Sequence, residues 1–135
     1  MRWNPMRPGK TENIKNRFAG KWRITKMSLW DPGYCDEEVK AHITIERSGS
    51  GIFQFGYATG DADGRFKNES SGPLFDFTWQ GSDECEEACG DGWMKIKPDN
   101  SAEGEIRFHQ GDCSAFWARK TSRKSTGQKA VKKAQ

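Results

Sequence analysis

Polar and apolar residues alternate along most of the chain, as expected of β-strands that bury one face. The alternation is clearest in segments 42–47, 51–59 and 74–80, where alternate residues are aliphatic or aromatic. Clusters of Gly, Ser, Asn, Asp and Pro separate such segments and are typical of tight turns. The pattern predicts eight strands. They cover residues 20–29, 42–47, 51–59, 62–66, 74–80, 93–97, 103–109 and 112–120.

The apolar residues of the first strand change parity along its length. Trp22 and Ile24 would share one face of a regular strand, whereas Met27 and Leu29 would lie on the other. A β-bulge near residues 25–26 would return the four side chains to a single face. We therefore expect a bend there, of the kind that helps a sheet to curl into a barrel.

Eight consecutive strands with short connections indicate an antiparallel meander, and closure into a barrel removes both exposed edges. The 135 residues include eight Phe, six Trp and fifteen Gly, a composition that favours strands and turns over helices. We expect one all-β domain, an eight-stranded antiparallel up-and-down β-barrel over residues 18–120. Residues 1–17 are interpreted as a flexible basic arm and residues 121–135 as a disordered basic tail. The pattern leaves open whether the barrel interior is open or filled by its own aromatic side chains.

The net charge of +3 is distributed unevenly. Residues 1–17 carry +4 and residues 119–135 carry +7, so the segment between them carries −8. The basic tails could bind nucleic acid or another anionic partner non-specifically. Trp117 is the last aromatic residue, so base stacking from the C-terminal tail is not expected.

Successive connections of an up-and-down barrel alternate between its two ends. The connections after strands one, three, five and seven therefore share one end, which we call the mouth, and both chain termini leave from the other. The two long connections, predicted at 31–41 and 81–92, belong to the mouth. The mouth should thus gather most acidic residues of the domain. They are Asp31, Asp36, Glu37, Glu38, Asp61, Asp83, Glu84, Glu86, Glu87, Asp91 and Asp112.

Five aromatic or imidazole side chains at strand ends are expected to line a binding site at the mouth. They are Trp30, Tyr57, Trp79, Trp93 and His109. An aromatic-lined barrel mouth is a common ligand site, and its negative field favours cations. We predict a non-enzymatic domain that binds a small ligand or cation there, with no cofactor. The alternatives are that the acidic loops only keep the surface solvated and that the large aromatic residues belong to the core.

All four cysteines also fall at the mouth. They are Cys35, Cys85, Cys89 and Cys113. If the loops converge, these thiols could hold zinc or copper, with His42 or His109 as a further ligand. The spacing between Cys85 and Cys89 is not that of a typical zinc knuckle, and isolated thiols are the alternative.

The sequence gives little support for membrane insertion or catalysis. No apolar run approaches the roughly 18 residues that span a bilayer, and the N-terminus lacks a secretory signal. We therefore expect a cytoplasmic protein with reduced thiols and no membrane partner. Phosphate-binding glycine loops, zinc-protease helices and nucleophile elbows are absent from the sequence. His109 could be oriented by Asp112 as a general base, but no nucleophile accompanies it, so an enzyme is not the favoured interpretation.

Gly20-x-Trp22 on the first strand, together with Arg119 on the last, resembles the signature of the calycins, the group of lipocalins, fatty-acid-binding proteins and avidins. The resemblance implies a barrel in which the arginine packs over the tryptophan at the closed end. A cation over an indole ring is physically favourable. The polar biotin-binding residues of the avidins are not recognisable here, so the resemblance does not imply biotin binding.

The segment from Gly20 to Arg119 also resembles a family of uncharacterised bacterial proteins that share short aromatic and glycine motifs. The corresponding segments here are 20–24, 30–31, 53–56, 77–84, 90–93 and 109–116. The last of them reads His-x-Gly-Asp-x-Ser-x-Phe. This resemblance implies no particular activity, and the cysteines do not belong to its pattern.

Overall fold

The computed structural model describes residues 9–121, with side chains from residue 14 onward. Residues 1–8 and 122–135 lie outside the described part, and so do the predictions made for them. The described residues form two helices and eight strands. In chain order they are α1 (Gly9–Phe18), β1 (Gly20–Met27), α2 (Pro32–Cys35), β2 (His42–Ile45), β3 (Ser50–Phe55), β4 (Ala58–Glu69), β5 (Gly72–Asp83), β6 (Glu86–Ile96), β7 (Ala102–Phe108) and β8 (Cys113–Lys120).

Each strand pairs antiparallel with the next, and β8 pairs with β1 to close the barrel. The predicted all-β, eight-stranded, antiparallel up-and-down β-barrel is confirmed. The bulge in the first strand is confirmed as well, because the register of β1 against β8 shifts between Ile24 and Lys26. Trp22, Ile24 and Met27 are all buried as a result, whereas Leu29, which was expected on the same face, lies beyond the end of β1 and is 47% exposed.

The turn between β3 and β4 lies four residues earlier than predicted, because Gly60 serves packing rather than turning. The turn between β3 and β4 lies at Gly56 and Tyr57, not at residues 60–61. Gly56 has a φ of +56°, which glycine adopts without steric cost. Gly60 lies inside β4 against the ring of Phe53, where an added Cβ would lie 2.5 Å from a ring atom.

The predicted loop over residues 81–92 is instead a long β-hairpin. Its strands β5 and β6 continue to Asp83 and from Glu86, so only Glu84 and Cys85 turn the chain. Both turn residues have positive φ, 53° and 73°, as a two-residue type I′ turn requires. The hairpin tip carries polar residues on both faces, so the apolar alternation that marks the other strands is missing there.

Part of the predicted N-terminal arm is helical. Within α1, Ile14 and Phe18 are four residues apart and share one buried face. The ring of Phe18 lies 5.7 Å from that of Phe66 and 6.0 Å from that of Phe75. Helix α1 therefore covers the end of the barrel opposite the mouth, called here the closed end. Two apolar residues in one helical turn are too short a periodic signal to predict this helix.

At the closed end, the structure differs from the predicted signature of Gly20, Trp22 and Arg119 in one residue. The cation over the Trp22 ring is Lys120, whose Nζ lies 5.4 Å from the ring centroid. Lys120 lies on the inward parity of β8, whereas Arg119 faces outward and is exposed. Lys120 Nζ also donates to the carbonyl of Arg17 at 2.8 Å, at the C-terminal end of α1, where a cation is favoured.

The barrel interior is filled by the chain's own side chains. Near the closed end, Phe66 and Phe77 flank Phe75 at ring distances of 5.1 and 5.4 Å. Toward the mouth, Trp79 packs edge-on against Phe53 and Phe108, each at 5.1 Å. The question left open by the sequence is settled in favour of a filled core. The other buried interior residues include Ile24, Ile43, Ile45, Met94, Ile106 and Phe116.

Candidate functional site

Four connections meet at the mouth, as the topology predicted. They are the β1–β2 loop with α2, the Gly56–Tyr57 turn, the Glu84–Cys85 turn and the β7–β8 turn. Two backbone hydrogen bonds join the first three of them directly. The amide of Gly56 donates to Cys35 O at 2.8 Å, and the amide of Glu84 donates to Tyr57 O at 3.3 Å.

The β1–β2 loop is shaped by two aspartates. Asp31 caps the first turn of α2, because its Oδ1 accepts from the amide of Tyr34 at 2.9 Å. Asp36 forms a bidentate pair with Arg23, with both N–O distances at 2.8 Å. Its Oδ1 also accepts from the amide of Ala41 at 2.9 Å. The hydrogen bonds from Arg23 and then from that amide hold the pKa of Asp36 well below its ordinary value.

Aromatic residues of this loop cover the filled interior. The ring of Trp30 lies 5.1 Å from Phe55 and 6.2 Å from Phe108. Tyr34 packs beside it at 6.2 Å. Trp30 thus lies at the mouth as predicted, but it closes the core instead of lining an open cleft.

Tyr57 is the exposed aromatic residue of the mouth, with 40% of its surface accessible. Its ring meets Tyr34 edge-on at 6.1 Å. Partial desolvation, followed by the charges of Glu37, Glu38 and Glu84, raises the pKa of Tyr57 above its ordinary value. The carboxylates act on the ring from the β1–β2 loop and from the β5–β6 turn. We call these four residues the Tyr57 cluster.

The negative field extends across the mouth to the β7–β8 turn. Desolvation, then the charges of Glu84 and Asp112, raises the pKa of Asp83. Burial raises the pKa of Tyr34, and Asp83 and Glu84 add to the shift. Carboxylates from the β5–β6 hairpin and the β7–β8 turn are therefore close enough to repel one another, and a cation placed among them would be stabilised.

The other predicted ligand-binding residues lie elsewhere. Trp79 is 4% exposed, and its Nε1 donates to Arg107 O at 3.3 Å inside the wall. Trp93 faces outward from β6 and donates to Glu105 Oε1 at 3.1 Å. His109 is exposed on the outer side of the barrel. Trp30 and Tyr57 of the predicted five thus lie at the top of the mouth, whereas Trp79 and His109 line a separate surface pocket together.

The four cysteines lie at the mouth end but do not converge. Cys35 is buried beneath the β1–β2 loop, and Cys85 is exposed at the hairpin tip. Cys89 lies on the outer face of β6, and Cys113 Sγ donates to Glu105 Oε2 at 2.9 Å. Within residues 14–121 no group of three or more His, Cys, Asp or Glu side chains could hold a metal ion.

The proposed orientation of His109 by Asp112 is also missing. The turn between them is closed through the backbone, with the amide of Phe108 donating to Asp112 O at 2.8 Å. No hydrogen bond between the His109 and Asp112 side chains occurs in the described part of the chain. Asp112 therefore does not orient the imidazole of His109.

The sequence did not predict a network of side-chain hydrogen bonds on the outer face of the barrel. Glu105 accepts hydrogen bonds from Trp93, Arg107 and Cys113. Arg107 in turn forms a bidentate pair with Asp91, at 2.9 Å for both contacts. Residues 105 and 107 share parity on one strand, but their partners follow only from the register of β6, β7 and β8.

A comparison of the chain with protein-family models, curated proteins and solved structures found no match. The resemblances to the calycins and to the bacterial motif family therefore remain predictions. No helix in the described segment is long and apolar enough to cross a membrane.

Proposed function

We propose that this protein is a non-enzymatic binding domain that takes up an organic cation at the acidic mouth, on the Tyr57 cluster. One observation carries the proposal. The exposed Tyr57 lies within electrostatic range of Glu37, Glu38 and Glu84, which come from two separate connections. A cation over such a ring gains both from the ring quadrupole and from the carboxylates.

The filled interior limits where a ligand could bind. Because Phe53, Phe55 and Trp79 occupy the barrel below the mouth, the ligand would rest on the surface of the mouth. Val39 lies on the β1–β2 loop with Glu37 and Glu38 and is 42% exposed. It offers an apolar contact for the methylene chain of an amine. A linear polyamine or a lysine-like side chain fits this combination of ring, carboxylates and apolar surface.

The expected affinity is modest. An exposed cation–π contact contributes about 0.5–1 kcal/mol, and each exposed carboxylate contributes a similar amount at low salt. The sum corresponds to a dissociation constant between about 1 and 30 mM. Binding should weaken as the ionic strength rises, because the charges are exposed to solvent.

Titration with spermine at low salt, followed by NMR shifts of the neighbouring Tyr34 ring, which every variant retains, tests the proposal. Tyr57→Ala and the double variant E37Q/E38Q should each weaken binding by several-fold. The matched control is E46Q/E69Q, which removes two exposed carboxylates at the closed end. Equal affinity in E37Q/E38Q and E46Q/E69Q would contradict binding at the mouth and would indicate a non-specific charge effect.

The other functional predictions gain no specific support. The basic segments that would bind nucleic acid or another anionic partner lie mostly outside the described residues. The cysteines at the mouth are separated, as described above.

A further inference from the structure

The four free thiols differ in their surroundings, and two of them are held unreactive. Cys35 is 3% exposed; burial, then Asp36 and Asp31, raises the pKa of its thiol. Cys113 donates its proton to Glu105 at 2.9 Å, which raises the pKa of that thiol as well. A thiol reacts as its thiolate, so neither is suited to attack an electrophile.

Cys89 differs because His109 is paired with it at the end of the β6–β7 ladder. The register of β6 and β7 ends with Gly90 opposite Phe108. The next amide, that of His109, donates to Cys89 O at 2.7 Å, so these two residues form the following pair. Side chains of directly opposed residues have Cβ atoms about 4.5–5.5 Å apart. Both residues are exposed, and they line the same surface groove.

The groove is negatively charged. Its volume is about 550 Å³, and its walls include Asp61 and Glu87 beside the thiol and the imidazole. No ion pair of Asp61 or Glu87 occurs among the described residues. Asp91, one position further along the outer face, is neutralised by its bidentate pair with Arg107. The uncompensated carboxylates favour a cationic reagent and disfavour an anionic one.

We propose that Cys89 is a site of thiol–disulfide exchange with small disulfides that carry ammonium groups, with His109 as the proton acceptor. The thiol of Cys89 gives its proton to an imidazole nitrogen of His109 as its sulfur attacks one sulfur of the disulfide. The disulfide bond of the reagent breaks, and a new bond joins Cys89 to one half. The other half leaves as a thiolate, which takes the proton from His109. The result is a mixed disulfide and one free thiol, without a further oxidant.

The test exposes the full-length protein to cystamine, which has two ammonium groups, or to neutral hydroxyethyl disulfide. Mass spectrometry follows the adduct on each cysteine with time. Cys89 should react several-fold faster than Cys85, the other exposed thiol of the same hairpin. H109Q should slow the reaction of Cys89 with both reagents, whereas H42Q, a matched control on β2, should not. D61N/E87Q should remove the advantage of cystamine over the neutral disulfide.

Several results would overturn the proposal. One is equal reactivity of Cys85 and Cys89 in the folded protein, and another is an unchanged rate at Cys89 in H109Q. The same measurement in denaturant gives a second criterion, since the advantage of Cys89 should vanish when the strands no longer place His109 opposite it. An advantage that persists in denaturant would come from local sequence and would also refute the proposal.

Discussion

At the scale of single residues, parity along a strand predicts burial well but does not predict partners. Trp22 and Phe75 were expected inside and are buried, because alternation alone decides which face a side chain occupies. Arg23 and Asp36 form the bidentate pair that anchors the β1–β2 loop. That pair depends on how the loop folds back over β1, which the alternation of apolar and polar residues does not indicate.

The pair gives a prediction with a defined pH dependence. Arg23 holds the pKa of Asp36 below its ordinary value, so the stabilisation is present above the unfolded-state pKa of about 3.9. It is lost as the pH falls below that value toward the folded-state pKa. D36N should lower the free energy of unfolding at pH 7 by about 1–2 kcal/mol, a range discounted because the pair is partly exposed. Urea unfolding at pH 7 and pH 3 measures this loss of stability. The difference in free energy of unfolding between D36N and wild type should be smaller at pH 3.

The matched control is Asp76, which pairs with Lys67 at 3.1 Å while about half exposed. Such a surface pair contributes little, so D76N should change stability much less than D36N at pH 7. A D36N deficit of the same size at both pH values would show that the carboxylate charge is not the cause.

At the scale of elements, the prediction succeeded where strands cross the filled core and failed where they leave it. β2 and the core part of β5 were predicted from alternating Ile and Phe residues. The tips of β5 and β6 lie beyond the core, so their side chains carry no alternation, and they were predicted as a loop. Among the described side chains of helix α1, Ile14 and Phe18 are buried on one face, which is too little to show a helical period.

The hairpin turn suggests a stabilising change. Glu84 and Cys85 both adopt positive φ, a conformation that costs most residues about 1 kcal/mol and that Asn and Gly tolerate. Replacing the turn with Asn-Gly (E84N/C85G) should raise the free energy of unfolding by about 1 kcal/mol, partly by removing the repulsion between Glu84 and Asp83. Chemical denaturation measures the change. E86G, at the first residue of β6, is the control and should be destabilising by about 0.5–1 kcal/mol; a loss of stability in E84N/C85G would contradict the turn assignment.

At the scale of the whole molecule, connectivity was the most informative part of the sequence. Once eight strands follow one another up and down, the four connections of the mouth must share one end, and the acidic residues in them gather there. The sequence could not show whether these loops cover the interior. That depends on the fit of Trp30 and Tyr34 over Phe55 and Phe108, which is a matter of three-dimensional packing.

The filled interior leads to a prediction about apolar ligands. Phe53 is 2% exposed and contacts Phe55 and Trp79 in the barrel, so Phe53→Ala should cost about 3–5 kcal/mol and leave an apolar cavity. A dry cavity of this kind binds small aromatic molecules. Benzene should therefore raise the melting temperature of the Phe53→Ala variant and leave that of the wild type unchanged. Ile52→Ala removes a side chain that is 51% exposed. It should therefore cost little stability, and benzene should not raise the melting temperature of this variant. If benzene stabilises the wild type to the same extent, the barrel has internal space in solution, and the binding site proposed at the mouth would have to be sought inside it.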